Sequence, residues 1–183
     1  MIKKIAGFHI ILFLILLTGC APTTVIWTSS PEVQIFQNKY YNAQLEALKR
    51  DQMGEYNFFV LFRLTVNNQT DKMLEIDWNK TRYIYNDYVR GGFVFKGIKA
   101  KDIKSLTIPY DLIHPGDTFS KEIAPVKLIT WARPRDRSVG KDESGFSPGI
   151  IPEGDNGIYL VVRYNGQEVR KKITLTIDSK EVR

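Results

Sequence analysis

The feature that most restricts how this chain folds is an alternation of apolar and polar residues on both sides of Asn165-Gly166. Alternation with a period of two is typical of a β-strand with one buried face. Asn-Gly is the preferred pair for a type I′ turn, because both central residues take a positive φ. The pattern therefore predicts a two-residue hairpin loop that places Val162 opposite Val169 and Arg163 opposite Glu168. The apolar positions are Ile158, Leu160, Val162 and Tyr164 before the turn and Val169, Ile173, Leu175 and Ile177 after it.

Further strands are predicted upstream by the same pattern. The alternation runs through residues 58–66, and the turn-forming residues 67–72 follow it. A strand over residues 73–78 would then complete a second hairpin. Residues 43–53 also suit a helix, and we favour a strand from Ala43 to Lys49. Shorter strands are predicted over residues 81–86, 92–95 and 118–123.

Lys171 interrupts the apolar face of the last predicted strand. Lysine is common where a strand reaches the edge of a sheet, because its charge discourages further pairing. We therefore expect an edge at this position.

About seven short strands separated by turns, with no convincing helix, favour an all-β fold built as a single antiparallel β-sandwich. Residues 62–70 followed by 74–78 resemble the strand–turn–strand unit of immunoglobulin-like domains in bacterial envelope lipoproteins. Residues 113–117 resemble the proline–glycine turn that such domains place before a late strand. The resemblance implies an immunoglobulin-like architecture, of a kind whose function is mostly unestablished. Because Cys20 is the only cysteine, the inter-sheet disulfide of antibody domains is absent.

The first nineteen residues have the pattern of a secretory signal peptide. Lys3 and Lys4 form a positively charged head, and an apolar run follows from Ile5 to Leu17. A helix needs about 20 apolar residues to cross a bilayer, so this run is too short for a comfortable anchor. We predict a signal peptide over residues 1–19.

The signal ends in Leu17-Thr18-Gly19-Cys20, which resembles the lipobox of bacterial lipoproteins. The family usually has alanine or serine in place of Thr18. The resemblance implies cleavage before Cys20 and a covalent lipid on its thiol, and no other cofactor is predicted. Two or more acyl chains hold a protein stably on a membrane. Because Ala21 stands where aspartate would retain the protein, the resemblance implies delivery to the outer membrane in a host whose envelope has two membranes, as in enterobacteria.

The mature chain is predicted to be one domain on a short tether. Removing residues 1–19 leaves 164 residues, enough for one domain, and lowers the formal net charge from +6 to +4. We assign residues 20–31 to the lipidated cysteine and tether and residues 32–183 to the β-sandwich. The mild positive charge favours loose attraction to anionic lipid head groups, and it is no signature of nucleic-acid binding.

Two features of the tether carry this assignment. Pro22 and Pro31 oppose regular structure. Between them, Val25, Ile26 and Trp27 either pack on the domain or dip into the membrane interface.

The residues needed for catalysis are scattered or missing. His114 is the only histidine after the signal and stands in a Pro-Gly turn, where we expect a surface residue. Residues 145–149 match the G-x-S-x-G pattern, but Pro148 has no N–H to offer an oxyanion hole. A lone cysteine excludes an intramolecular disulfide and a thiolate metal cluster. Acidic residues could meet as an acid–base pair, which spacing does not decide. We predict no catalytic or metal site and no enzymatic activity.

Two other features favour binding. Trp131, Arg133, Arg135 and Arg137 open a polar loop that runs to about residue 157. Long loops are often functional, and tryptophan with arginine is a common interface pairing. The alternative is a solvated loop with Trp131 in the core. The second feature is an aromatic cluster, for which we expect core or sheet packing: Tyr83, Tyr85, Tyr88, Phe93 and Phe95.

These observations predict a lipid-anchored, non-catalytic protein of the bacterial envelope. Its partners would be the membrane, through the lipid, and an unidentified envelope protein or polymer bound by the sandwich. A structural or assembly subunit of an envelope or secretion complex is the alternative, and a hydrolase is the third possibility.

Overall fold

The computed structural model describes residues 24–49, 58–96, 108–131 and 146–182. These residues form fourteen strands and one short 3₁₀ helix, Val126–Leu128. No helix among them is long and apolar enough to span a bilayer. The strands are β1 Thr24–Ser30, β2 Val33–Gln37, β3 Tyr41–Lys49, β4 Phe59–Asn68, β5 Leu74–Ile76, β6 Arg82–Tyr85, β7 Tyr88–Val89, β8 Phe93–Val94, β9 Asp111–Ile113, β10 Thr118–Pro125, β11 Ile129–Trp131, β12 Phe146–Pro148, β13 Gly154–Tyr164 and β14 Gln167–Val182.

Two antiparallel sheets face each other across one core. The first, here the β13 sheet, has the order β1-β14-β13-β5-β9, with β6 beside β13 and β7 beside β6. The second, the β4 sheet, has the order β2-β3-β4-β10-β8. The order β3-β4-β10-β8 facing β14-β13-β5 is the A-B-E-D and G-F-C arrangement of constant-type immunoglobulin domains. The predicted all-β antiparallel sandwich is confirmed.

Alternating residues from both sheets fill the core. In the β4 sheet, Leu45, Phe62 and Leu64 are fully buried. In the β13 sheet, so are Ile158 and Leu160. Strand β3 covers the predicted strand from Ala43 to Lys49, which is therefore confirmed, whereas residues 50–53 of the ambiguous stretch lie outside the described residues.

The C-terminal hairpin has the predicted register. Val162 pairs with Val169 and Arg163 pairs with Glu168. Asn165 and Gly166 have φ values of 50° and 79°, as a type I′ turn requires.

Lys171 lies at the predicted edge. Strand β1 pairs only with residues 176–182 of β14, so the described part of the chain leaves Lys171 without a strand on that side. Its ammonium lies 4.5 Å from the centre of the Phe36 ring.

The predicted hairpin between β4 and the strand that follows it is wrong. Residues 74–76 form β5, which pairs with β13 of the opposite sheet, Ile76 opposite Val162. The chain crosses between the sheets at the turn, where the buried Asn68 side chain donates to the carbonyls of Lys72 (2.7 Å) and Ile113 (2.9 Å). These side-chain bonds satisfy main-chain carbonyls where the chain leaves the β4 sheet. Alternation identifies a strand and its buried face, but not its neighbour.

The predicted tether also differs from the structure. Residues 24–30 form β1, which pairs along its whole length with β14, and Trp27 packs against the core. The sandwich therefore begins before residue 32. Pro22 and Pro31 lie outside this stretch, whose β-branched residues suit a strand once β14 provides an edge. The signal peptide and Cys20 lie outside the described residues.

The two ends of the sandwich differ in construction. At one end, here the closed end, the turns are tied together: Gln69 N–H donates to Tyr40 O (2.9 Å), and Asn68 N–H donates to Asp117 O (3.0 Å). The rings of Tyr40 and Tyr164 lie 4.9 Å apart at the same end. The other, here the open end, holds the beginning of β1, the end of β14, the end of β3 and the beginning of β4.

Candidate functional site

A cleft of about 330 Å³ opens at this open end, between the edges of the two sheets. It exists because the chain changes sheets: β1 pairs with β14 in the β13 sheet, and β2 pairs with β3 in the β4 sheet. Strand β2 begins opposite Glu46, so the end of β3 has no strand beside it among the described residues. The lining residues are Trp27, Thr28, Ser29, Glu32, Glu46, Ala47, Leu48, Lys49 and Phe59.

The lining of the cleft combines an apolar floor with charged sides. Phe59 is buried, and the Lys49 ammonium lies 5.2 Å from the centre of its ring. Glu46 accepts a hydrogen bond from Arg63 Nη1 at 3.2 Å. Glu32 has no polar partner among the contacts described. A concave site with apolar walls and a few polar groups is the usual form of a ligand site.

The unpaired end of β3 gives this cleft a second property. Ala47 lines the cleft and is buried, and within the described ranges residues 47–49 pair with β4 alone. Main-chain groups at such an edge can pair with an extended segment of another chain. The cleft can therefore receive a peptide strand, an apolar side chain, or both together.

The predicted binding loop is only partly described, and its predicted end near residue 157 is wrong, because β12 lies within it and β13 already begins at Gly154. Trp131 ends β11, and its main chain pairs with Phe146 of β12. Its side chain lies outside the described part of the chain, and so do Arg133, Arg135 and Arg137. The chain that follows β12 reaches the open end, because Ile151 N–H donates to Phe59 O at 2.8 Å.

Ser147 does not occupy a nucleophile elbow. It lies in the middle of β12, paired with Thr130, and the chain continues without a helix through Ile151. Gly149 has a packing role instead: its N–H donates to Leu128 O at 2.8 Å, and a Cβ there would lie 2.2 Å from that oxygen. The close packing around Gly149 therefore explains why a glycine is needed there, and no catalytic role has to be invoked.

His114 is exposed, as predicted, in the turn after β9. Its carbonyl accepts hydrogen bonds from Asn68 Nδ2 and Asp117 N–H, both at 3.1 Å. In the part of the chain that the structure covers, no three His, Cys, Asp or Glu side chains come close enough to hold a metal ion.

The aromatic cluster packs largely as expected. Tyr83, Phe93 and Phe95 are buried, whereas Tyr88 is exposed. The Tyr83 hydroxyl donates to Asn156 Oδ1 at 2.5 Å, and burial raises its pKa above the ordinary value.

One arrangement was not visible in the sequence. Lys121 of β10 forms an ion pair with Asp111 of β9 and so joins the two sheets. Its ammonium lies 4.0 Å from the Phe95 ring centre, and Trp78 Nε1–H donates to the same carboxylate at 2.7 Å. The signal in the sequence was the position of Lys121, which lies on the apolar face of an alternating strand and therefore needs a partner inside the fold. The group is engaged within the chain, so we regard it as structural.

The sequence matches no known family, and no curated protein is significantly similar to it. The class of this protein is therefore known only from its fold, which is an antiparallel β-sandwich.

Proposed function

We propose that this protein is a lipid-anchored, non-catalytic component of the bacterial envelope, held on the outer membrane through Cys20. Its sandwich binds an envelope protein or polymer at the open end, through the cleft and the arginine loop. The observation that carries the proposal is the signal peptide ending in Leu17-Thr18-Gly19-Cys20. The position of β1 supports it, because the sandwich begins at Thr24, only four residues after the cysteine.

Lipidation is tested by Cys20→Ser and metabolic labelling with a fatty-acid analogue. The wild-type protein should carry label and sediment with outer-membrane markers on a density gradient. The variant should carry none and should accumulate as unprocessed precursor. Equal labelling of both proteins would refute the anchor, and recovery of the wild type with inner-membrane markers would refute only the sorting to the outer membrane.

Binding is tested by crosslinking in intact cells followed by purification of the protein. Glu32→Lys reverses a charge at the mouth of the cleft, whereas Asp71→Lys makes the same change on the exposed turn at the closed end. We expect the first variant to lose crosslinked partners and the second to keep them. Equal recovery by both variants would remove the cleft from the proposal.

The same experiment separates a binding protein from an assembly subunit. A structural or assembly subunit would be recovered with one fixed set of proteins. A binder of an envelope polymer would instead be recovered with heterogeneous polymer.

A hydrolase is a second candidate, favoured by the two carboxylates of Glu32 and Glu46 in one cleft. Against it, Glu46 is already paired with Arg63, which leaves Glu32 alone for chemistry. Two carboxylates with separate roles are needed for glycoside hydrolysis. Loss of an envelope-degrading activity in Glu32→Gln would favour the hydrolase over the binding protein.

A further inference from the structure

We infer that a two-stranded ribbon, which projects from the open end of the sandwich beside the cleft, contacts the lipid head groups of the membrane. The ribbon consists of Thr24–Ile26 of β1 and Lys180–Val182 of β14. The inference rests on the proposed lipid anchor at Cys20.

The ribbon projects beyond the body of the sandwich. Thr24 pairs with Val182, and Ile26 pairs with Lys180. Strand β13 stops pairing with β14 at Ile177, so the described residues give the last part of β14 only β1 as a neighbour. Both faces of the ribbon are consequently open to the surroundings.

Apolar side chains occupy both faces of this projection. Val25 is 39% exposed, Ile26 is 41% exposed and Val182 is 41% exposed. Single exposed apolar residues are common on proteins and need no explanation. Three of them at the tip of one two-stranded ribbon are different, because isolated ribbons are only marginally stable in water. The tip is therefore suited to an environment less polar than water.

The length of chain before β1 determines what that environment is. Thr24 is four residues after Cys20, and four extended residues span at most about 14 Å. The head-group layer on each side of the hydrocarbon core is roughly 5–7 Å thick. A lipid on Cys20 therefore holds the start of β1 at or just above the head groups, together with Val182 beside it. The bilayer is the occupant that the anchor itself brings to this surface.

The charges of the ribbon fit an interfacial position. Lys180 lies across from Ile26, and a lysine stem can lie along apolar surface while its ammonium reaches the phosphates. Glu181 lies across from Val25 and offsets this charge. We therefore expect the contact to depend on the apolar groups more than on anionic lipid.

The chain offers a direct test, because Cys20 is its only cysteine and the lipid would occupy that thiol. A single cysteine introduced by Ile26→Cys or Val182→Cys then labels uniquely with an environment-sensitive fluorophore. The matched controls are Ile35→Cys and Leu112→Cys, at positions that are more exposed, 55% and 53%.

The first control also lies far from the ribbon along the sandwich. Phe36, next to Ile35, packs against Lys171. Lys171 precedes Lys180 by nine residues, which is roughly 30 Å along an extended strand. The second control lies on β9, which pairs with β5 towards the closed end.

The labelled, lipidated proteins are purified and reconstituted in vesicles of phosphatidylethanolamine with a minority of phosphatidylglycerol. We expect emission at positions 26 and 182 to shift to shorter wavelength and to lose access to an aqueous quencher. Positions 35 and 112 should show neither change. Raising the phosphatidylglycerol content should alter the shift little.

The outcomes separate this inference from the anchor on which it rests. Protein that floats with the vesicles while probes 26 and 182 stay aqueous overturns the ribbon contact and leaves the anchor intact. Equal shifts at all four positions also overturn it, because the contact would not be confined to the ribbon. Wild-type protein that does not float overturns both proposals.

Discussion

The closed and the open end of this sandwich show two ways of finishing the same pair of sheets. At the closed end, the buried Asn68 side chain and main-chain hydrogen bonds tie the turns together, and the rings of Tyr40 and Tyr164 pack against each other. At the open end, the sheets part around a cleft, the end of β3 has no second neighbour among the residues that the structure describes, and apolar side chains of the ribbon are exposed. One end is built for stability, whereas the other leaves surfaces available.

This difference explains where binding features can accumulate. Main-chain groups at a strand edge can pair with another chain, and clustered exposed apolar side chains can pack against another surface. The hydrogen-bonded turns of the closed end hold the strands together. The open end presents its strand edge and its apolar side chains to a partner. The following predictions test that division.

The largest loss of stability is expected for a substitution at the closed end. Asn68→Ala removes the donor to the carbonyls of Lys72 and Ile113 and the acceptor for Thr70 N–H. Because these groups are buried or partly buried, we expect a loss of roughly 2–4 kcal/mol in the free energy of unfolding, measured with urea. The control is Asn67→Ala, whose exposed amide bonds only Thr118 and should cost about 1 kcal/mol or less. Similar losses for both variants would contradict the role of the closed end.

A smaller effect is expected where the open end joins the core. Trp27→Ala should cost about 2 kcal/mol, below the usual range for a fully buried aromatic residue, because Trp27 is only partly buried. Thr28 is next to it on the outer face, and Thr28→Ala should change stability by less than about 0.5 kcal/mol. Thermal and urea unfolding measure both. If neither variant differed from wild type, residues 24–30 would be a tether after all.

The arginine loop should affect binding far more than stability. Replacing Arg133, Arg135 and Arg137 by alanine should change the free energy of unfolding by less than about 1 kcal/mol if the sequence-predicted polar loop is solvated, because solvated charges contribute little. The crosslinked partner should be recovered poorly. The control replaces the three basic residues 170–172 of β14, which removes the same charge away from the open end. A large loss of stability with unchanged binding would show that the loop is structural.

The smallest effect is the acid dependence of one ion-pair group at the closed end. Hydrogen bonds from Lys80 and then Arg170 lower the pKa of Glu168 to about 2. The carboxylate therefore stabilises the fold above its ordinary pKa of about 4.5, and this contribution is lost as the pH falls towards about 2. Between pH 5 and about 2, wild type should lose slightly more stability than Glu168→Gln. Because the pair faces solvent, high salt should reduce the difference, and parallel pH profiles would contradict it.

Local chemistry made much of the fold predictable. The turn at Asn165-Gly166 depends on two positive φ values that its own residues adopt readily, so its register followed from the sequence. Alternation placed β4 and β10 correctly, because the side chains of a strand point to opposite faces whatever its neighbours. The candidate site was harder to predict from the sequence, since its two sides come from β1 and β3, and β1 was assigned to a tether.

By itself, therefore, the sequence determined the all-β class, the buried faces, the last hairpin and the pattern from which a lipid anchor at Cys20 is proposed. Only the tertiary structure decided which sheet β5 joins, that residues 24–30 are a strand, and that Lys121 meets Asp111 across the sandwich. Strand period and turn geometry depend on residues within a few positions of one another. Neighbours in a sheet, and the cleft between two edges, depend on hydrogen bonds between segments as distant as Ile76 and Val162, which no local pattern records.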